Sequence, residues 1–185
     1  KEGDTTATGA RLPRNGLMET LTAVKEKLGL PKKMEEGRGV GIALAEWRSG
    51  SGPSTASISV NEDGTISLLT GSVDISGSDT SLAQIAAQAL GLQMEQVIIA
   101  KRDTDLAPYT QPSGGSRITY SQGKAVQMAA DDTRNKLLVL AAERLQLSPD
   151  ALECAGGRVY VQDNPDQGYT LAQLARMSLT SQGGP

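Results

Sequence analysis

Thr70-Gly71-Ser72-Val73-Asp74-Ile75-Ser76-Gly77-Ser78-Asp79-Thr80, running into Leu82-Ala83-Gln84-Ile85-Ala86-Ala87-Gln88-Ala89-Leu90-Gly91, is the stretch that decides the fold. A loop of small and polar residues opens directly into an alanine- and leucine-rich helix. A second such unit follows. It begins with Asp103-Thr104-Asp105, continues through Pro112-Ser113-Gly114-Gly115-Ser116-Arg117-Ile118-Thr119-Tyr120, and enters a longer alanine-rich helix. Glycine lets backbone approach a ligand closely, and a helix start offers unpaired N–H groups. Two such loops in one domain would make an anion-friendly cradle. The pattern points to a holder of something phosphorylated before it points to a catalyst.

Upstream of the first loop, Ala56-Ser57-Ile58-Ser59-Val60 alternates as a half-buried strand does. Asn61-Glu62-Asp63-Gly64 turns it into Thr65-Ile66-Ser67-Leu68-Leu69, a hairpin over 56–69. Before it, Gly37-Arg38-Gly39-Val40-Gly41-Ile42-Ala43-Leu44-Ala45-Glu46-Trp47 reads as a strand with glycines at its entry. Its glycines open a strand instead of closing one into a helix, so it is no dinucleotide fingerprint. Trp47 at its end reads as a packing residue. Earlier still, Leu17, Leu21, Val24 and Leu28 recur on one helical face, closed by Gly29 and Pro31. Residues 1–15 read as an extended polar lead-in, and 32–36 as a charged connector.

Downstream, the first helix carries its apolar face on Leu82, Ile85, Ala86, Ala89 and Leu90, with Thr80 or Ser78 as cap and Gly91 as stop. Val97–Ala100 is a short strand. A helix from about Ser121 to Gln146 presents Ala125, Val126, Ala129, Leu137, Val139, Leu140 and Leu145. Ser148-Pro149-Asp150 starts a short helical turn, Arg158–Val161 is a strand, and Asn164–Gly168 a turn. Tyr169 begins a last helix capped by Thr170. The expected fold is α+β, a two-layer sandwich of mixed or antiparallel sheet with helices on one face. Residues 1–36 form a lead-in and helix, and 37–180 the α+β domain, truncated at both ends. The helices near Thr80 and Ser121 are expected to pack on one sheet through Ile85, Leu90, Leu137 and Leu140.

Composition narrows the chemistry. The 185 residues carry a net charge of -3, which argues against nucleic acid. No apolar run approaches the ~20 residues needed to cross a bilayer. Lys1-Glu2-Gly3-Asp4 has neither a starting Met nor an apolar signal segment, as expected of a stretch from a longer, cytoplasmic chain. There is no histidine, which excludes His-dependent triads and imidazole metal sites. Cys154 is the single thiol, so neither an internal disulfide nor a zinc site can form. Phe is absent and aromatics are 3%, leaving a core of Leu, Ile, Val and Ala without base-stacking platforms.

The order of these pieces resembles the xanthine dehydrogenase/aldehyde oxidase family, the molybdenum hydroxylases, over roughly residues 10 to 165. The matching features are Gly37–Gly41, Asp63-Gly64-Thr65, Thr70–Ile75, Leu82–Ala87, Leu90-Gly91, Asp103-Thr104-Asp105 and Gly114–Thr119 before Gly123–Val126. The resemblance implies part of the molybdopterin-binding large subunit of an oxidoreductase that hydroxylates aldehydes or N-heterocycles. It further implies molybdopterin, as the cytosine dinucleotide, and electrons leaving through iron–sulfur and flavin subunits or domains. In most members the first loop carries a Gly-Gln-Gly that touches the pterin. Here Ser76-Gly77-Ser78 is shorter and lacks the glutamine, like a branch with a Gly-Gly-Ser type loop, so its contacts would come from the backbone of Gly77 and Ser78. In the family, backbone and hydroxyl groups of the stretch matching Gly114, Gly115, Ser116 and Arg117 sit by the phosphate-bearing end. The family's glutamate base lies in a motif absent from these residues. The chain alone is therefore expected to carry no cofactor, to be inactive, to show mobile or exposed loops, and to self-associate through an apolar patch.

Other readings stand beside these. Ser76-Gly77-Ser78 also reads as a plain strand–helix turn with a serine cap. Arg117 reads as a surface partner of Asp103 or Asp105, as a brace of its own loop, or as a phosphate ligand through charge-assisted bonds of ~1.5–3 kcal/mol each. Asp103 and Asp105 read as a structural turn more readily than as metal ligands. Cys154 sits in no electropositive setting and reads as inert. A non-catalytic α+β binding or scaffolding module is the alternative for the whole chain.

Overall fold

The computed structural model describes residues 3–7, 9–12, 15–29, 34–45, 47, 50–100 and 103–180. They fall into two compact units, Lys1–Ala45 and Glu46–Pro185.

The first unit holds helix α1, Leu17–Leu28, closed by Gly29 in the left-handed region with φ 53°. Pro31, the other part of the expected stop, lies outside the described residues. The polar lead-in is not simply extended: Thr5 bridges Arg11, and the amides of Gly3 and Leu12 bond Leu12 and Asp4 carbonyls. The strand expected at 37–47 does not form over its described residues. Val40, Ile42 and Leu44 are all exposed. A lone strand leaves its backbone groups unpaired and is not stable by itself. Trp47, which belongs to the second unit and was expected to pack, is 77% exposed.

The second unit is α+β. Strands β1 (Ala56–Val60) and β2 (Ile66–Thr70) pair antiparallel, from Ala56 with Thr70 to Val60 with Ile66. The turn between them forms because Asp63 accepts bonds from the Thr65 amide and hydroxyl at 2.9 and 2.6 Å, while Gly64 supplies φ 89°. Helix α2, Ser78–Leu90, crosses to β3, Val97–Ile99, which lies parallel to β2. β2 is central, and Ile66 and Leu68 are fully buried.

Helix α3, Gly123–Leu145, follows a π-helical turn at Ile118–Gln122. Alanine and glycine let α2 and α3 pack closely: a Cβ on Gly123 would lie 2.7 Å from the Ile85 side chain. The buried stripe of α2 is Leu82, Ala83, Ala86, Ala87 and Leu90, with Ile85 and Ala89 only half-buried. In α3, Val126, Ala130, Leu137, Leu140, Ala141 and Ala142 are buried, whereas Val139, expected on the apolar face, is exposed.

A second sheet stands beside the mixed one. β4 (Leu152–Ala155), β5 (Arg158–Val161) and β6 (Asn164–Thr170) form an antiparallel meander. Gly156 and Gly157, with φ 60° and 73°, make the tight turn of β4–β5. The turn expected at Asn164–Gly168 is strand instead. Gly168 is there for backbone contact: a Cβ would sit 2.6 Å from the Tyr160 Cα. Pro165, which has no N–H to donate, is tolerated because β6 is an edge strand. Helix α4, Leu171–Thr180, is capped by Thr170 as expected, while Tyr169, expected to begin it, lies in β6. The Thr170 hydroxyl accepts from the Gln173 amide, and the Gln173 side chain accepts from the Thr170 amide at 2.8 Å, a reciprocal cap.

Candidate functional site

Both loops of the opening motif end in a seryl–glycyl pair held in the left-handed region. Ser76 and Gly77 have φ 58° and 74°, and Gly115 and Ser116 have φ 60° and 55°. Each pair is followed within two residues by a helical turn, at Ser78 and at Ile118. A non-glycine residue at positive φ is uncommon and costs about 1–2 kcal/mol, so it persists where surrounding structure demands it.

The fold brings the two loops to one cavity of about 430 Å³. Its wall includes Ile75, Ser76, Ser78, Gly114, Ser116, Arg117, Ile118 and Thr119. Five of the seven residues singled out in the sequence are on that wall; Gly77 and Gly115 stand beside it as the conformational partners of the two serines. Among the described residues of the lining Arg117 is the only charged one, and none of them is a carboxylate. The amides of Ile118 and Thr119, which open the π-helical turn, take no partner among the described residues.

The start of α2 is less open than its sequence implies. Neither Thr80 nor Ser78 caps it in the expected way. The Asp74 carboxylate accepts from the Asp79 amide at 3.1 Å and from the Ser78 hydroxyl at 3.3 Å. The Ser78 hydroxyl also accepts from the Ile75 amide at 3.3 Å. Asp74 thus supplies the negative charge favoured at this helix start. The more accessible donors are those of Ser116, Arg117 and the π-helical turn.

Arg117 pairs with neither Asp103 nor Asp105 among the described residues. Its Nε donates to the Gly114 carbonyl at 2.8 Å and its Nη1 to the Gln111 side-chain oxygen. The guanidinium therefore braces its own loop while contributing to the cavity wall. Asp103 and Asp105 form a turn: the Asp103 carboxylate accepts from the Asp105 amide at 2.8 Å, and the Asp103 carbonyl accepts from Ala107 at 2.7 Å. Among the described residues no three acidic, His or Cys side chains gather as metal ligands.

Cys154 is buried, with Sγ 3.6 Å from the Leu90 carbonyl. Burial pushes its thiol up, against the opposing effect of nearby Arg134. It remains a protonated packing group.

Two features were missed in the sequence. Gly71, a plain loop glycine in the sequence, lies against the segment that leads into the second loop: a Cβ there would overlap the Pro108 carbonyl and come within 3.0 Å of the Thr110 methyl. Gln122 was not singled out at all, yet it is fully buried and hydrogen-bonded at both ends of its amide. A polar residue inside a helical run carries no signal in one dimension that it will be enclosed.

The donor set suits phosphate oxygens: several hydroxyls, open amides at a helical turn, one guanidinium and, among the described residues, no competing carboxylate on the wall. Residues 18–184 match the family described as molybdopterin cofactor-binding domain. The chain is 29% identical over 183 residues to the putative xanthine dehydrogenase molybdenum-binding subunit of Escherichia coli, covering 90% of this chain and 24% of that protein. It is 30% identical over 156 residues to the carbon monoxide dehydrogenase large chain of Afipia carboxidovorans, covering 77% and 19% respectively. Its fold is similar to quinoline 2-oxidoreductase from Pseudomonas putida, with a TM-score of 0.71 over 96% of this chain and 25% of that one, at 20% identity. The chain thus spans about a quarter or less of the relatives it matches. Among the described residues no helix is long and apolar enough to cross a membrane.

Proposed function

This chain belongs to the molybdopterin cofactor-binding domain family of molybdenum hydroxylase large subunits, and on that premise we propose that it grips the phosphate-bearing end of molybdopterin. The observation that carries this reading is the convergence of Ser76-Gly77 and Gly115-Ser116 on one cavity in which Arg117 is the only charge among the described residues. Ser76, Gly77, Ser78, Gly114, Gly115, Ser116 and Arg117 are the residues assigned to the cofactor. Ser116, Ile118 and Thr119 would donate to phosphate oxygens, and the braced Arg117 would add charge without having to reorganise. Gly77 and Gly115 allow the reversals that aim those donors.

When bound, the molybdenum centre supplies the oxidative hydroxylation for which the aldehyde- and N-heterocycle-directed members of the family are known. The residues described here hold and orient the cofactor and move no proton in that reaction. The catalytic base, substrate pocket and electron-transfer groups are assigned to the rest of the large subunit and to iron–sulfur and flavin partners. We place the assembly in the cytoplasm, with molybdopterin cytosine dinucleotide as its cofactor. The chain alone carries no cofactor and no hydroxylase activity in this reading, and self-associates through apolar surface.

Titration of the isotopically labelled chain with inorganic pyrophosphate tests the site. Amide resonances of Ser76–Ser78 and of Ser116–Thr119 should move together and saturate; movement scattered over the surface, or none, would overturn it. In the longer subunit, Arg117→Ala should lower molybdenum content, while unchanged loading would leave Arg117 as a loop brace only.

A further inference from the structure

We infer that Gln122 is the positioning residue that sets the relation between the two loops, an inference that rests on the anion-holding reading of their cavity. Its side chain is fully buried at the end of the π-helical turn. Its amide nitrogen donates to the Thr55 carbonyl at 2.7 Å, just before β1, and its oxygen accepts from the Thr110 hydroxyl at 2.8 Å. A side-chain amide loses solvation when enclosed and is satisfied only with both partners in place. An apolar side chain of similar size would fill the same space without demanding either. The amide therefore specifies one arrangement of the segments around it.

Those segments lead to the two halves of the site. Thr110 also lies 3.4 Å from the Ser54 hydroxyl and sits in a bridge with Ser54. On one side, Thr110 and Pro108 press on Gly71, the first residue of the loop that ends at Ser76-Gly77. On the other, neighbouring Gln111 receives the Arg117 guanidinium, which in turn holds Gly114. Gln122 is itself joined to the second loop through the π-helical turn. One buried amide thus ties the strap 108–111 to both walls of the cavity.

The test uses Gln122→Met, which keeps length and bulk but removes both hydrogen bonds, and Thr110→Val, which removes one hydroxyl. Leu140→Ala serves as a control that destabilises the core away from the strap. Gln122→Met should move the amide resonances of Ser76–Ser78, distant in sequence, and weaken inorganic pyrophosphate binding about tenfold, as expected for a lost hydrogen-bonded arrangement. Thr110→Val should act in the same direction, and it carries the test if Gln122→Met does not fold. Leu140→Ala should lower the melting temperature yet leave loop resonances and pyrophosphate affinity unchanged well below it. Unmoved loop resonances in Gln122→Met and Thr110→Val, with wild-type affinity, overturn the inference. Failure of the wild-type chain to bind pyrophosphate overturns the anion reading instead, and the loop resonances still report whether Gln122 positions the loops.

Discussion

Ser76 and Ser116 lie in different loops, share left-handed backbone angles of 58° and 55°, and line the same cavity. Each is paired with a glycine in the same region and each stands just before a helical turn. Seryl residues are not needed to make such a reversal, because glycine makes it without strain. What serine adds at both places is a hydroxyl on the wall of a polar cavity. Left-handed backbone kept at two positions on one cavity wall supports the cofactor-holding reading proposed above.

Removing the strain should therefore stabilise the chain at the expense of the site. Ser116→Gly is expected to leave stability unchanged or raise it by up to about 1 kcal/mol, since relief at positive φ competes with added freedom in the unfolded chain. Ser116→Val places a β-branched residue at positive φ and should cost about 1–2 kcal/mol. Urea unfolding of the two variants checks both signs.

Gly91 is constrained twice over. It closes α2 at φ 65°, and a Cβ there would lie 2.9 Å from the Ala155 Cα and the Cys154 carbonyl. Its own carbonyl accepts from the Gly156 amide at 2.7 Å, tying α2 to the second sheet. Gly91→Ala should cost about 2–4 kcal/mol, backbone strain adding to overpacking. A midpoint shift no larger than that of an exposed Gly→Ala would contradict the close contact.

Leu140 is 7% exposed among Leu137, Ala141 and the facing strands. Its truncation to Ala should lower unfolding free energy by ~2–5 kcal/mol. A loss below that range in chemical denaturation would mean that the helix α3 face is assigned wrongly.

Asp63 gives the hairpin a pH dependence of known sign. Bonds from the Thr65 hydroxyl and amide hold its carboxyl below the ordinary aspartate range. The folded state then binds fewer protons than the unfolded one between the two titrations, so stability rises with pH in that window. The contribution is in place above the ordinary value of about 3.9 and fades as pH falls through the lower, folded one. Carbon-detected titration of Asp63 should give a midpoint below that of an unstructured aspartate. In Asp63→Ala this part of the acid dependence should disappear.

What the sequence determined by itself is the part governed by neighbours along the chain. Alternation in Ala56–Val60, the Asp63-Gly64 turn, the helices ending at Leu28, Leu90 and Leu145, and the Thr170 cap all follow from patterns a few residues long. The small-residue loops and their order were legible too, and they carried the family. Tertiary structure alone decided what those loops meet. It placed Ser76 opposite the second loop, gave Arg117 to Gln111 and Gly114, and capped α2 with Asp74. It also enclosed Gln122, whose two partners come from segments far apart in sequence. The same reason explains the failures. Asn164–Gly168 has the composition of a turn but becomes strand because β5 offers it a ladder, and 37–45 has the alternation of a strand but forms none without a partner. Pairing energy belongs to two segments at once, and a single stretch of residues records only its own half.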